Sequence, residues 1–414
     1  MRHAIPVTLA LGCLLGLPPG ASAQDIPEAS PAAIAEHAEG LRLYLAEEWA
    51  EALPHFYEAH ELEPTFYTPL FVAALSAGNA TGMQAVSDSL WEIVSANRIR
   101  FSDYYQGLID AYDARRAGNT IRSIELMRDV ADAYPGTKSA YNYALWVWTR
   151  NPSEALRALA TLDPQREPVK DWWGYWSVRA SADHAVGQFE DELETFRTVE
   201  ETFPPSIAAR ARQVRALAAM GRVEELDPFI APCEAMEPDR GWHLGNILAE
   251  AGTELMAHGH PAEAKTFFER ALAYYDGLPE EDAGSRAMRF QRAWVLYNLG
   301  RYAEARRGYE ALARDVPNNF AYQGWVAVTA ALTGDPDLAG STAARFASGE
   351  LGNTELNRES WQALIAVALD HPDEAMVHVR RLLPASSWMH RDPLMVDRLG
   401  DRPDFRAFLR STKF

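Results

Sequence analysis

Small and apolar residues recur along this chain on a fixed ladder. Around Ala264, Phe268 stands four residues on and Ala271 seven on, with Gly259 five before and Gly252 twelve before. The same ladder fits Ala52, Ser123, Ala155, Glu192, Leu226, Ala305, Ala339 and Ala375. Four on from these come Phe56, Met127, Leu159, Phe196, Ile230, Tyr309, Ala343 and Val379. Seven on come Ala59, Val130, Leu162, Val199, Cys233, Leu312, Phe346 and Leu382. Glycine recurs five before the origin at Gly118, Gly187, Gly221, Gly300 and Gly334. Twelve before stand Gly40, Ala111, Ala180, Ala293, Ala327 and Ala363, with Tyr143 and Val214 as exceptions. Steps of four and three place residues on one helix face. Small residues on two helices let their axes approach closely, and a glycine between them supplies the freedom a helix end requires. The ladder therefore predicts helix hairpins, each too amphipathic to bury its apolar face alone, so that neighbours stack. Origins are mostly 32 to 38 residues apart; the gap of 71 between Ala52 and Ser123 leaves room for one more unit. Residues 66–100 fill it, with Trp91 and Val94 as core.

This register resembles the tetratricopeptide repeat, a helix–turn–helix unit of ~34 residues. The resemblance covers residues 32–385 and implies an all-α solenoid of about nine to ten hairpins. It also implies that the first helix of each hairpin lines a concave groove. Positions three before, one after and four after the small residue then face that groove. Around Ala293 these are Phe290, Trp294 and Tyr297; Trp325 and Trp361 lie next to the stripe, two before Ala327 and Ala363. Around Ala111 the stripe carries Tyr112 and Arg115, and around Val214 it carries Arg215, with Arg212 adjacent. Aromatic and arginine side chains are the usual anchors of a binding surface, so these nine are the expected contacts for a protein or peptide partner. Some relatives clamp a terminal carboxylate with Lys and Asn, but the three-before and one-after positions here hold neither.

The array has uneven joints. Asp276–Ser285 stretches one spacing to 41 residues, and Asp163–Asp171 is a second polar, proline-containing joint. Domain organisation is read as a repeat array over 24–276, a polar joint at 277–285, a second array over 286–388, and a C-terminal cap over 389–414. An end helix must cover the last open apolar face. Ahead of the array, Arg2 and His3, the apolar run Ile5–Leu17 and Ala21-Ser22-Ala23 form the three parts of a secretory signal peptide over 1–23. Cleavage is expected before Gln24, giving an exported chain, periplasmic or secreted, with no membrane span in its mature part. The alternative is a lipoprotein or assembly-complex subunit anchored at Cys13, although Ala10-Leu11-Gly12-Cys13 is a poor lipobox.

Charge narrows the partners. The net charge of −19 over 414 residues argues against nucleic acid, which requires a basic surface. Hydrophobic residues make up 48% of the chain, which excludes a disordered one. Candidate chemistry is sparse. His258-Gly259-His260 resembles a metal pair, yet His260-Pro261 occupies the slot held elsewhere by Asn151-Pro152, Asp335-Pro336 and His371-Pro372. A polar residue before proline is a helix N-cap, so both histidines read as turn residues and no metal is expected. Cys233, at a seven-on position, reads as core. His390-Arg391-Asp392 with Asp404-Phe405 imitates a kinase signature without its phosphate loop. No Gly-x-Ser-x-Gly elbow is present either. The sequence points to a scaffold that binds, with no cofactor and no catalytic set; an enzyme with a site between stacked helices is the remote alternative.

Overall fold

A computed structural model describes residues 29–166, 169–351, 355–382 and 392–411. The signal peptide expected over 1–23 lies outside the described residues. Among those described, the fold is an all-α helical repeat solenoid. Ten hairpins run in chain order: α1 (Pro31–Leu45) with α2 (Trp49–Leu62), α3 (Thr68–Asn79) with α4 (Gln84–Ala96), α5 (Asp103–Arg116) with α6 (Thr120–Ala133), and α7 (Lys138–Val147) with α8 (Pro152–Leu159). Then come α9 (Trp173–Ala185) with α10 (Phe189–Thr202), α11 (Ile207–Ala219) with α12 (Val223–Ile230), and α13 (Leu244–Ala257) with α14 (Pro261–Asp276). After the short α15 (Glu280–Ala283) follow α16 (Arg286–Asn298) with α17 (Tyr302–Asp315), α18 (Phe320–Leu332) with α19 (Pro336–Ala347), and α20 (Glu355–Ala368) with α21 (Pro372–Leu382). Two further helices, α22 (Pro393–Leu399) and α23 (Pro403–Ser411), end the chain.

The ladder is the core. All nine origins have no exposed surface, and every seven-on residue is buried. Of the four-on residues only Ala343 is half-exposed. The tenth hairpin takes the register too: Ser87 is its origin, with Trp91 four on and Val94 seven on, all buried. The Ser87 hydroxyl donates to the Ala74 carbonyl at 2.8 Å, which is how a polar origin is accommodated. The small residue twelve before has a steric reason. A Cβ at Gly252 would lie 2.9 Å from the Phe268 ring, and one at Gly40 would lie 2.7 Å from Phe56. The four-on ring of the second helix occupies the space that a side chain on the first would need.

Nine of the ten hairpin turns contain a left-handed residue at the five-before slot. In seven it is glycine (Gly82, Gly118, Gly187, Gly221, Gly259, Gly300 and Gly334); in the other two it is Glu47 at φ 66° and Asp370 at φ 63°. This conformation lets the following N–H reach back over the helix end, as His260 N–H does to Leu255 O at 2.8 Å. The sequence ladder missed Glu47 and Asp370 because it looked for glycine, not for the φ that glycine supplies.

Contacts divide the chain into two compact units near residue 182, within α9; residues 149–151 group with the second. The polar joint at 277–285 lies inside the second unit, where α14 and α16 stay packed across it. Spacing had marked that joint as the boundary because it lengthens the repeat. Helix packing there is uninterrupted, since the insertion folds into α15 and leaves the flanking helices in contact.

Candidate functional site

In the second unit, first helices carry the aromatic stripe that the ladder places on one face. Phe290 and Trp294 on α16 are half-exposed, and with Trp242, Asn246 and Glu250 they line an open cleft of about 420 Å³. Trp325 from α18 forms part of its wall. Trp294 meets Phe268 edge-on at 6.2 Å, and Phe290 meets Tyr309 at 5.7 Å, so each ring has one side packed and one side on the cleft. Arg212 lies 5.5 Å over the Trp242 ring at the rim. Trp242 enters from the turn before α13, where Arg240 and Gly241 both adopt positive φ. Beside it, His243 is buried and stacked on Tyr274 at 5.5 Å, and burial pushes its imidazole down to about 4. The stripe rule passed over Trp242, Asn246 and Glu250. Trp242 precedes its helix, and the other two lie six and two before Gly252, outside the three positions tested.

The other expected contacts are placed differently. Tyr297, Trp325 and Trp361 are buried, with 1%, 6% and 7% of their surface exposed. Trp325 stacks on Tyr309 at 5.4 Å and meets Tyr297 at 4.8 Å and Trp361 at 5.4 Å edge-on. These three rings therefore form the floor between hairpins. The close approach of Gly324, where a Cβ would lie 2.3 Å from Trp361, admits that floor. Arg215 is also withdrawn from the groove: it is buried, and its Nε donates to Glu192 Oε1 at 2.8 Å.

That pair belongs to a buried polar cluster that spacing did not reveal. Glu192 Oε2 lies 2.6 Å from His184 Nδ1, and His184 Nε2 lies 3.3 Å from Glu254 Oε1. Both carboxylates have no exposed surface. Burial raises the Glu192 pKa, but Arg215 and His184 outweigh it and hold the carboxyl below its usual range. For His184, burial and Arg215 pull down; Glu192 and Glu254 overcome them, and the net displacement is upward. Two buried acids thus face one arginine and one imidazole whose protonated form they favour. Glu192 occupies an origin slot where six other hairpins hold alanine, and the cluster is the reason. Sealed from solvent, its carboxylates tie α9, α10, α11 and α13 together.

In the first unit, Tyr112 is half-buried among Phe71, Trp91 and Trp146, and the exposed Arg115 lies 4.6 Å over the Trp146 ring. Both expected contacts are thus engaged with neighbouring aromatics. Lys138, which the stripe did not include, sits 3.8 Å over Tyr44 and 5.6 Å over Trp172, and burial pushes its amine down to about 7.

Among the described residues no group of three or more His, Cys, Asp or Glu side chains is placed to hold a metal ion. His260 occupies the N-cap position of α14 without a side-chain cap bond, whereas Asp335 accepts from Leu338 N–H at 3.2 Å. Cys233 is buried, and desolvation pushes its thiol up to about 11. No helix among the described residues is long and apolar enough to cross a membrane.

The C-terminal helices do more than close the last hairpin. Asp392 caps α22, accepting from Leu394 N–H at 3.0 Å and Met395 N–H at 3.3 Å. The Tyr297 hydroxyl, 95 residues away, donates to the same carboxylate at 3.1 Å. Burial pushes the Asp392 carboxyl up to about 6. Helix α22 packs against both α20 and α13. It thus meets first helices of three hairpins, α13, α16 and α20, and its Arg398 pairs with Asp370 in the turn after α20.

Comparison with known families matches residues 255–328, from the last turn of α13 into α18, to a model described as tetratricopeptide repeat. No curated protein matches the chain. Among solved structures, a tetratricopeptide repeat protein from Parabacteroides merdae aligns at 12% identity and TM-score 0.36, covering 75% of this chain and 99% of that one. The APC/C hetero-tetramer Cut9-Hcn1 aligns at 12% identity and TM-score 0.35, covering 92% of this chain and 80% of that one.

Proposed function

We propose that this tetratricopeptide-repeat chain is an exported scaffold that binds a protein or peptide partner on the first-helix face of its second unit. The observation that carries this reading is the cleft of Trp242, Phe290 and Trp294, where three aromatic side chains stand half-exposed over a rigid floor. Large aromatics with one free face supply contact area at little conformational cost, which is the usual anatomy of a hot spot. The repeat fold implies protein partners in general; fold alone does not name one. Binding is favoured over catalysis because the carboxylates of the Glu192–His184–Glu254 cluster have no exposed surface.

The test pairs affinity with stability. Trp294→Ala should lower partner affinity by about 2 kcal/mol, the size of a hot-spot loss. Because one face of the ring is already solvated, its stability cost should stay under the ~3–5 kcal/mol of a fully buried tryptophan. A partner captured from envelope extract, then titrated against both proteins by calorimetry, supplies the first number; urea unfolding supplies the second. Undiminished affinity, or a loss of binding that tracks the loss of stability, refutes the cleft as the binding site.

Export rests on the basic start, the apolar run and Ala21-Ser22-Ala23. N-terminal sequencing of the chain purified from its source should begin at Gln24. Removing 1–23 takes one arginine and no acid, so the net charge passes from −19 to −20. An intact Met1, or a lipid on Cys13, overturns this part.

A further inference from the structure

Part of the first-helix face of the second unit is already covered, and what covers it is the chain itself. A helix that only capped the array would touch α20 and α21. Helix α22 instead lies across to α13, and Asp392 reaches Tyr297 on α16. Leu394, Met395 and Leu399 are buried against this face, Met395 and Leu399 completely. The flanking ion pairs, Arg398 with Asp370 at 3.1 Å and Arg402 with Asp373 at 2.8 Å, involve exposed carboxylates. Pairs of that kind add little holding force.

Helix α22 has 7 residues, far short of the length at which a helix persists in water by itself. It is helical here because it is docked. Its docking rests on three apolar side chains, a buried N-cap carboxylate and one tyrosine hydroxyl. Any helix presenting the same end, an acid at the N-cap, proline after it and apolar residues at the same spacing, satisfies the same face. A longer partner helix would add contacts over the adjoining cleft of Trp242, Phe290 and Trp294.

We propose that residues 392–399 are an in-cis occupant of the first-helix face, and that the partner is a helix-forming segment of another protein with this same acid–proline–apolar end, which displaces them. The proposal rests on the reading of this face as a binding surface. Its test is independent of partner capture, so the two can fail separately.

The probe is a fluorescein-labelled synthetic peptide of residues 392–411, titrated against the full chain. Met395→Asp combined with Leu399→Asp puts charge on two sealed positions of the tail and leaves the receiving face unaltered. The labelled peptide should bind this double variant at least tenfold tighter than the parent chain. Tyr297→Phe, added to the double variant, should weaken the peptide severalfold by removing the hydroxyl that meets Asp392. Equal binding to parent and double variant overturns the proposal. Circular dichroism reports whether the double variant keeps its helices. If it does not, hydrogen exchange on the parent chain decides: amides of Leu394–Leu399 should exchange well before those of α16 and α18. Exchange of all three segments together, as one cooperative unit, makes α22 a fixed part of the core and overturns the proposal. A parent chain that dimerises by exchanging tails, seen by light scattering and abolished in the double variant, assigns the face to a second copy and likewise overturns it.

Discussion

Glu192→Ala, which restores the ladder's usual residue, should destabilise the second unit by about 3–5 kcal/mol in urea unfolding. Glu192 has no exposed surface and is the carboxylate that Arg215 donates to. Its removal leaves the buried Arg215 guanidinium without the carboxylate it donates to. Breaking one partner of a buried pair is expensive because the other charge stays desolvated. Arg215→Met in the same chain should recover most of the loss, since the pair then leaves together and His184 keeps Glu254. A double variant no more stable than Glu192→Ala would show that the pair is not what the alanine removed.

The same variant carries a pH signature. The His184 value is displaced upward from 6.5, so its contribution is complete below 6.5 and is lost as pH rises through the higher folded value. Glu192 is displaced downward from 4.5, so its contribution is complete above 4.5 and is lost as pH falls through the lower folded value. The parent's advantage over Glu192→Ala should therefore be greatest between those two ordinary values and shrink in alkaline buffer. A difference independent of pH from 5.5 to 9 would remove the imidazole from this account.

Trp325→Ala should cost the second unit about 3–5 kcal/mol as well, the range for emptying a buried aromatic site. Trp325 is the hub at which Tyr309, Tyr297 and Trp361 meet, so its loss loosens hairpins on both sides. It also forms a wall of the cleft, and the cavity left behind joins that cleft. Trp325→Ala and Trp294→Ala thus separate floor from surface, the first failing mainly in stability and the second mainly in binding. Equal stability losses in the two would mean that their difference in burial has no energetic consequence.

Where sequence and structure agree, the signal was local and repeated. Each origin needed only its own hairpin to be read, because the four-on and seven-on residues and the small residue opposite pack within one helix pair. Chemistry at the left-handed turn was half-legible: glycine marks it in most hairpins, but Glu47 and Asp370 adopt the same φ without announcing it. Phe290 and Trp294 stand half-exposed on the helix stripe that the spacing picks out. The spacing could not rank exposure along that stripe, since depth depends on how far the next hairpin reaches over. Tyr297 and Trp361 are one rotation away from Trp294 in pattern, yet buried in fact.

The sequence by itself determined the fold class, the register of every regular hairpin and the net acidic charge, because helical period, residue size and charge are carried by the chain in order. Tertiary structure decided what each polar exception is for. Glu192 looks like a defect in the ladder until Arg215, His184 and Glu254 arrive from other helices. Asp392 looks like part of a terminal cap until Tyr297, 95 residues earlier, donates to it. Contacts at that separation depend on how successive hairpins rotate against one another, a sum of small packing angles that leaves no periodic mark on the sequence.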